Sequence, residues 1–131
     1  ERSEADAALA SNDLHLLKAR DQLDIARSNG DAFAGYQEAE RDFPPTYKFD
    51  KRSDVYDTSE KRRVPSWTDR VLVASKECAA ILQYESVSEL RWSDHRPVAA
   101  TVALAVDPAA RSPAGFSRKE APEKSEVCSV M

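Results

Sequence analysis

Four polar residues stand directly ahead of an apolar run near the end of the chain, where residues 91–104 read RWSDHRPVAATVAL. Asp94 and His95 therefore precede a segment, 97–106, whose composition predicts a buried strand. A histidine at the end of a rigid strand suits proton transfer or the stabilisation of negative charge, because its pKa lies near neutrality. His95 is thus a candidate catalytic residue. From the spacing alone, it is equally possible that Asp94 and His95 only cap a strand.

A catalytic histidine needs a carboxylate that fixes its tautomer. Asp94 is adjacent to His95, but neighbours on a strand point to opposite faces. Asp69 has a similar context, because PSWTDRVL (65–72) also passes from polar residues into an apolar run. We therefore expect Asp69 to orient His95. The other histidine, His15, lies between two leucines of a predicted helix and is interpreted as a partly exposed helical residue.

A second set of candidate residues is basic. Residues 43–70 hold seven Lys/Arg against five Asp/Glu, whereas the whole chain has a net charge of −4. The loop cations are Lys48, Lys51, Arg52, Lys61, Arg62 and Arg63, with Tyr47 and Tyr56 nearby. Such cations can bind phosphate through charge-assisted hydrogen bonds, although composition alone favours a solvated, salt-bridged loop. A basic stretch within an acidic chain suits the binding of one compact anion rather than general nucleic-acid binding.

The last four residues, 128–131, fit the C-a-a-X prenylation pattern, in which a terminal Met points to farnesyl on Cys128. Residues 107–127 are rich in proline and charge and predict a disordered tail. Cys78 and Cys128 are too few for a disulfide scaffold or a zinc site, which indicates a reducing, cytosolic setting. We therefore expect a cytoplasmic protein that is peripherally attached to the membrane surface.

The elements that would position these residues follow from hydrophobic spacing. The length of 131 residues fits one domain, and 41% hydrophobic against 32% charged residues allows a modest core. Residues 11–30 predict one helix, capped within 11–13 and stopped by Asn29-Gly30. A short turn at 33–36 follows, and FPP (43–45) ends it. Four short strands are predicted at 47–49, 67–74, 79–87 and 97–106.

Together these motifs resemble the catalytic domain of the inositol polyphosphate 5-phosphatases. RVPSWTDRVL (63–72) is similar to the family's P-x-W-x-D-R-[IV]-L signature, and WSDHRPV (92–98) to its S-D-H-x-P-V ending. FPPTYKFD (43–50) and YDTSEKRRVP (56–65) resemble its phosphoinositide-binding stretches. The resemblance covers about residues 14–106. It implies an α/β (α+β) fold, the C-terminal half of a DNase-I-like two-sheet β-sandwich flanked by helices, with residues 1–106 in the catalytic domain and 107–131 as the tail.

The resemblance also implies a reaction, the Mg²⁺-dependent hydrolysis of the 5-phosphate of phosphoinositides, such as phosphatidylinositol 4,5-bisphosphate, or of soluble inositol phosphates. His95 would act on the scissile phosphate, Asp69 would hold and polarise it, and Asp94 would lie near metal or nucleophilic water. The residues matching those that grip the neighbouring 4-phosphate or brace the pocket are Tyr47, Lys48, Lys61, Arg63, Trp67 and Arg70.

One departure from the family pattern concerns the metal. The family's metal-binding Glu and its G-D-x-N-x-R motif have no match in this chain, so we expect the ligands upstream of Glu1 and predict that the 131 residues alone are inactive. Two other interpretations remain open. The chain could belong to another DNase-I-like phosphodiesterase, a nuclease or a sphingomyelinase, or to a non-catalytic phosphoinositide-binding protein that retained the fold.

Overall fold

The computed structural model describes residues 1–74 and 78–106, which form three helices and one antiparallel pair of strands. The elements are α1 (Arg2–Ala10), α2 (Leu14–Lys18), α3 (Gln22–Ser28), β1 (Ala79–Ser86) and β2 (Val98–Leu104). The predicted α+β class is confirmed. The predicted tail, including Cys128, lies outside the described residues. No helix of the described part of the chain has the length and apolar character needed to cross a bilayer.

The prediction of one continuous helix over residues 11–30 is wrong. Two aspartates each start a separate helix, because Asp13 accepts a hydrogen bond from the Leu16 N–H at 3.1 Å and Asp21 accepts one from the Asp24 N–H at 2.9 Å. Aspartate is among the favoured N-cap residues, since its carboxylate satisfies an N–H that the helix leaves free. The predicted stop is confirmed at Asn29, the C-cap of α3.

Helix α1 was not predicted from the sequence. Its segment RSEADAALA is rich in alanine, the residue with the highest helix propensity, and it buries Ala5 and Ala8 on one face. Arg2 pairs with Asp6 one turn later at 2.7 Å and also donates to the carbonyl of Arg63 at 2.7 Å. These contacts attach the helix to the basic loop that precedes the WTDR segment (residues 67–70).

The two strands predicted nearest the C-terminus are confirmed as β1 and β2. They pair from Ala79 with Leu104 to Ser86 with Val98, and an irregularity between Ile81 and Gln83 interrupts the register. The expected strands at 47–49 and 67–74 are instead isolated bridges. Nearby prolines at positions 44, 45, 65 and 97 lack the N–H that a continuous ladder requires.

The core connects the sheet to these irregular segments. Phe43, Phe49 and Trp67 are buried, and the Trp67 indole N–H donates to the Phe43 carbonyl at 3.0 Å. Phe43 also meets Tyr84 of β1 edge to face, with ring centroids 5.2 Å apart. Packing between aromatic rings therefore fixes the WTDR segment relative to the sheet.

Candidate active site

Three stretches that are far apart in sequence lie side by side at the candidate site. Tyr47 occupies the middle stretch and forms antiparallel bridges with both Ser66 and His95. The Phe49 N–H donates to the Asp94 carbonyl at 2.8 Å, which extends the contact along the same stretch. Residues 45–49 therefore hold the segment that contains Asp69 beside the segment that contains His95.

Asp69 and His95 are in direct contact. The Nδ1 atom of His95 lies 2.7 Å from Oδ2 of Asp69, across 26 positions of sequence. The hydroxyl of Thr68 donates to the same Asp69 oxygen at 3.0 Å, and the Tyr47 ring packs against the imidazole with centroids 4.5 Å apart. The His95 side chain is 40% exposed, so a ligand can reach it.

This geometry is that of a histidine oriented by a carboxylate. With Nδ1 bonded to Asp69, the Nε2 atom of His95 is the nitrogen left for a substrate. It can accept a proton when the ring is neutral or donate one to an anionic oxygen when the ring is protonated. A residue that only capped β2 would have no need of this contact with Asp69.

Asp94 does not join the pair. Its carboxylate contacts the hydroxyl of the neighbouring Ser93 at 3.3 Å, and its carbonyl accepts the bond from Phe49. Asp94 is partly exposed beside His95. Its predicted role near metal or water remains a prediction.

Two of the predicted phosphate-binding residues are linked by Asp57, which sequence reasoning did not single out. The Asp57 carboxylate accepts a hydrogen bond from Lys48 Nζ at 3.2 Å and from the Arg63 N–H at 2.9 Å. It also accepts one from the Ser59 N–H at 3.1 Å. Hydrogen bonds from Ser59 and then from the Arg63 N–H hold the pKa of Asp57 well below its ordinary value, although burial opposes them.

The remaining basic residues of this loop face solvent. Lys61, Arg62 and Arg63 are exposed, and Arg62 reaches Asp6 of α1 at 3.8 Å. Because Asp57 binds the main chain at Ser59 and Arg63, the turn that carries Lys61 is fixed at both ends. Asp57 therefore fixes the Lys48 side chain and the backbone of the turn that carries Lys61 and Arg63.

Arg70, predicted to bind substrate or to brace the pocket, lies in a buried ion network. Its side chain is only 5% exposed, and its guanidinium contacts Glu38 at 2.6 Å, Asp21 at 2.8 Å and Asp24 at 2.8 Å. Burial alone would lower the pKa of Arg70, but its bonds to Glu38 and Asp21 outweigh burial and raise it. With its donors bound to carboxylates, Arg70 braces the WTDR segment.

A buried ion network surrounds Arg70. Glu38, whose side chain is 2% exposed, also accepts from Arg27 at 3.0 Å, from Arg41 at 3.1 Å and from the Tyr84 hydroxyl at 2.9 Å. Burial, together with Glu38, raises the pKa of Tyr84 to about 12. The sequence offered no signal for this network, because its members are spread from α3 to β1.

The described residues do not assemble a metal site. Within 1–74 and 78–106, no group of three or more His, Cys, Asp or Glu side chains converges as metal ligands would. Asp69 and His95 are instead hydrogen-bonded to each other, and Asp57 is bonded to Lys48. What these residues present is an oriented imidazole next to a basic loop.

A comparison of the sequence with known families identifies the family of this chain, and that family is consistent with the geometry of the site. Residues 1–101 match the family described as Endonuclease/Exonuclease/phosphatase family 2, and the chain belongs to that family. The DNase-I-like fold that the motifs implied is thereby confirmed.

Among the similar proteins are several that are named as inositol or phosphatidylinositol 5-phosphatases. Synaptojanin of Caenorhabditis elegans is 46% identical over 96 residues, which are 71% of this chain and 8% of that protein. Phosphatidylinositol 4,5-bisphosphate 5-phosphatase INP51 of Saccharomyces cerevisiae is 44% identical over 90 residues, or 69% of this chain and 9% of the relative. Type IV inositol polyphosphate 5-phosphatase 11 of Arabidopsis thaliana is 41% identical over 93 residues, or 68% and 28%. The chain thus spans less than a third of each of these relatives.

Two solved structures show the same fold. The inositol polyphosphate 5-phosphatase domain of SPsynaptojanin, crystallised with inositol (1,4)-bisphosphate and a calcium ion, has a TM-score of 0.70 and 40% identity; the match covers 79% of this chain and 31% of that one. A Cimex nitrophorin in its ferrous NO complex has a TM-score of 0.71 and 32% identity, covering 81% and 37%. Relatives of this fold therefore include proteins with different ligands.

Proposed function

We propose that the chain is part of an inositol polyphosphate 5-phosphatase, in which it supplies the oriented histidine and the headgroup-binding loop. The observation that carries the proposal is the 2.7 Å contact between Asp69 and His95 beside Tyr47 and Lys48. The relatives named as 5-phosphatases, at 41% and 44% identity, support the choice of reaction over that of a nuclease or sphingomyelinase.

The chemistry follows from where negative charge resides. Hydrolysis of a phosphate monoester concentrates charge on the phosphoryl oxygens, and fixed donors aimed at those oxygens stabilise the transition state. His95, held by Asp69, would donate from Nε2 to an oxygen of the scissile phosphate. Lys48 and the loop cations at 61 and 63 would neutralise the neighbouring phosphate of the same ring.

A divalent metal belongs to the proposal, with Mg²⁺ as the predicted ion. The SPsynaptojanin domain was crystallised with calcium, which supports a divalent cation in this family. The described residues form no metal cluster, so we expect the ligands of this metal upstream of Glu1. Membrane attachment through a farnesyl group on Cys128, at the cytosolic face, is a further part of the proposal and rests on the C-a-a-X pattern alone.

Headgroup binding can be tested on the chain itself. We expect Lys48→Ala to lower the affinity for inositol (1,4)-bisphosphate at least tenfold, because a charge-assisted hydrogen bond contributes about 1.5–3 kcal/mol. Lys51→Ala is the matched control: it removes the same charge from the same loop, outside the proposed contacts, and should change affinity less than twofold. Calorimetric titration measures both. Equal losses in the two variants would mean that only net charge matters and would contradict the assigned site.

A second function is favoured by one observation. The nitrophorin has this fold and was crystallised with NO rather than with an inositol phosphate, so the fold alone does not fix the chemistry, and a non-catalytic phosphoinositide-binding role is the second candidate. The two functions differ in one assay. The full-length protein, incubated with phosphatidylinositol 4,5-bisphosphate and Mg²⁺, should release phosphate if it is a 5-phosphatase and none if it only binds the headgroup. The 131-residue chain alone should release none above a His95→Ala control.

A further inference from the structure

A cluster of exposed apolar side chains with flanking cations lies next to the candidate active site. Two loops form it. The main chain of Arg52 donates to the Arg91 carbonyl, and the Arg91 side chain pairs with Asp54 at 2.9 Å, so loops 50–55 and 88–93 adjoin. We call the exposed residues of these loops the tryptophan rim, defined as Lys51, Arg52, Val55, Leu90 and Trp92.

The exposure of the rim is unusual for its composition. Trp92 is 83% exposed, Val55 54% and Leu90 48%. Tryptophan is rarely left in water, and one end of its ring system carries an N–H, which suits the boundary between water and lipid. Trp92 stands three positions before His95, so the rim lies beside the surface that would receive a lipid headgroup.

The charges of the rim favour an anionic surface. Asp54 is paired with Arg91 and Arg96, and Asp50 accepts hydrogen bonds from Thr58. Among the described residues, neither Lys51 nor Arg52 has an ion-pair partner. The remaining carboxylate of the second loop is Glu89, which is exposed and opposes this attraction.

The exposed leucines of the two strands differ from the rim in the charges around them. Leu82 of β1 and Leu104 of β2 are 67% and 66% exposed, but neither strand contains a Lys or Arg, and Glu85 is the one charged residue of the pair. These leucines therefore lack the flanking cations that would attract an anionic surface. The tryptophan rim combines apolar groups with cations, as interfacial membrane segments do.

We propose that the tryptophan rim docks on the anionic lipid surface, with Trp92 and Leu90 entering the interface while Lys51 and Arg52 contact lipid phosphates. The inference deepens the proposed function, because it places the catalytic histidine at the membrane from which the headgroup projects. It does not depend on Cys128, since the rim lies between residues 51 and 92.

Vesicle binding tests the rim directly. The 131-residue chain produced in bacteria carries no farnesyl group, so sedimentation with vesicles of phosphatidylcholine and phosphatidylserine, free of phosphoinositides, reports the rim alone. We expect Trp92→Ala to lower the partition coefficient at least tenfold and Lys51→Ala about fivefold, since each cation near an anionic surface contributes about 1 kcal/mol. Leu82→Ala, an equally exposed apolar residue on the sheet, should change it less than twofold.

Fluorescence supplies a second readout that does not depend on affinity. Trp67 is buried and Trp92 exposed, so brominated lipid should quench the wild-type chain but not Trp92→Phe, whose only indole is Trp67. Far-ultraviolet circular dichroism checks that the variants fold. A wild-type chain that stays in the supernatant, or equal losses in Trp92→Ala and Leu82→Ala, would overturn the inference.

The outcomes also separate this inference from the proposed function. Inositol (1,4)-bisphosphate binding, measured in parallel, reports the headgroup site. If that binding is lost in Lys48→Ala while Trp92→Ala partitions like the wild type, the headgroup site stands and the rim is refuted. If vesicles bind through Trp92 and no inositol bisphosphate binds, the rim stands and the proposed function is refuted.

Discussion

Replacing Glu38 should destabilise the fold more than replacing any exposed carboxylate of the chain. Glu38 is 2% exposed and accepts hydrogen bonds from Arg70, Arg27, Arg41 and the Tyr84 hydroxyl. Removing one partner of a buried ion pair costs about 3–5 kcal/mol, because it leaves uncompensated charge away from water. Arg70 retains two other carboxylates, so we expect Glu38→Ala to lower the free energy of unfolding by about 3 kcal/mol, the lower end of this range.

The size of this effect makes it measurable. Domains unfold with a free energy of about 5–15 kcal/mol, so a 3 kcal/mol loss should move the urea midpoint substantially without changing the m-value. Glu38→Gln should cost a similar amount, since it keeps the shape and one acceptor but removes the charge. Circular dichroism during urea titration gives the free energy of unfolding of each variant.

Glu40 is the matched control. It lies two residues away with its side chain 71% exposed, paired with Lys18. Exposed ion pairs contribute about 0–1 kcal/mol, so Glu40→Ala should shift the midpoint little. If Glu38→Ala and Glu40→Ala lose equal stability, the network around Arg70 does not stabilise the WTDR segment as argued.

Three further predictions concern the site and the tail. In the full-length protein, if it is the proposed 5-phosphatase, Asp69→Asn and His95→Ala should each lower kcat by about 10²–10⁴-fold, the usual contribution of a positioned acid–base group; phosphate-release assays measure this, and unchanged rates would refute the pair. Because the folded-state pKa of Asp57 lies below its unfolded value of about 3.9, its stabilisation is present above about pH 4 and lost as the pH falls further. Urea denaturation between about pH 3 and 7 should therefore show a shallower acid dependence for Asp57→Asn, and parallel curves would contradict this. Finally, Cys128→Ser should shift the full-length protein from membranes toward the cytosol in cell fractionation, and unchanged partition would refute prenylation.

The pairing of Asp69 with His95 shows how far motif reasoning can reach. The two residues stand in recognisable local contexts, each a polar group entering an apolar run, and the need of a catalytic histidine for a carboxylate linked them. The contact is observed at 2.7 Å. The intermediate stretch at Tyr47, which brings the two together, was known only as part of a basic segment.

Arg70 and Asp57 show where such reasoning stops. Both lie inside charged motifs; the resemblance assigned Arg70 to binding substrate or bracing the pocket and assigned Asp57 no role. The structure adds what the motifs leave out: the Arg70 side chain is bound by Glu38 and its neighbours, and Asp57 fixes Lys48 and the loop at Arg63. The cost of burying a charge depends on partners from distant elements, which no local pattern reports.

The sequence by itself determined the family, the two strands of the sheet, the Asp69–His95 pair and the basic loop, because these depend on local motifs and on residue chemistry. Only the tertiary structure decided that residues 11–30 form two helices, that Arg70 is enclosed by carboxylates and that Trp92 is left in water beside the site. Those outcomes depend on which distant side chains share a buried space or fail to cover a surface. That is a property of packing in three dimensions rather than of neighbours along the chain.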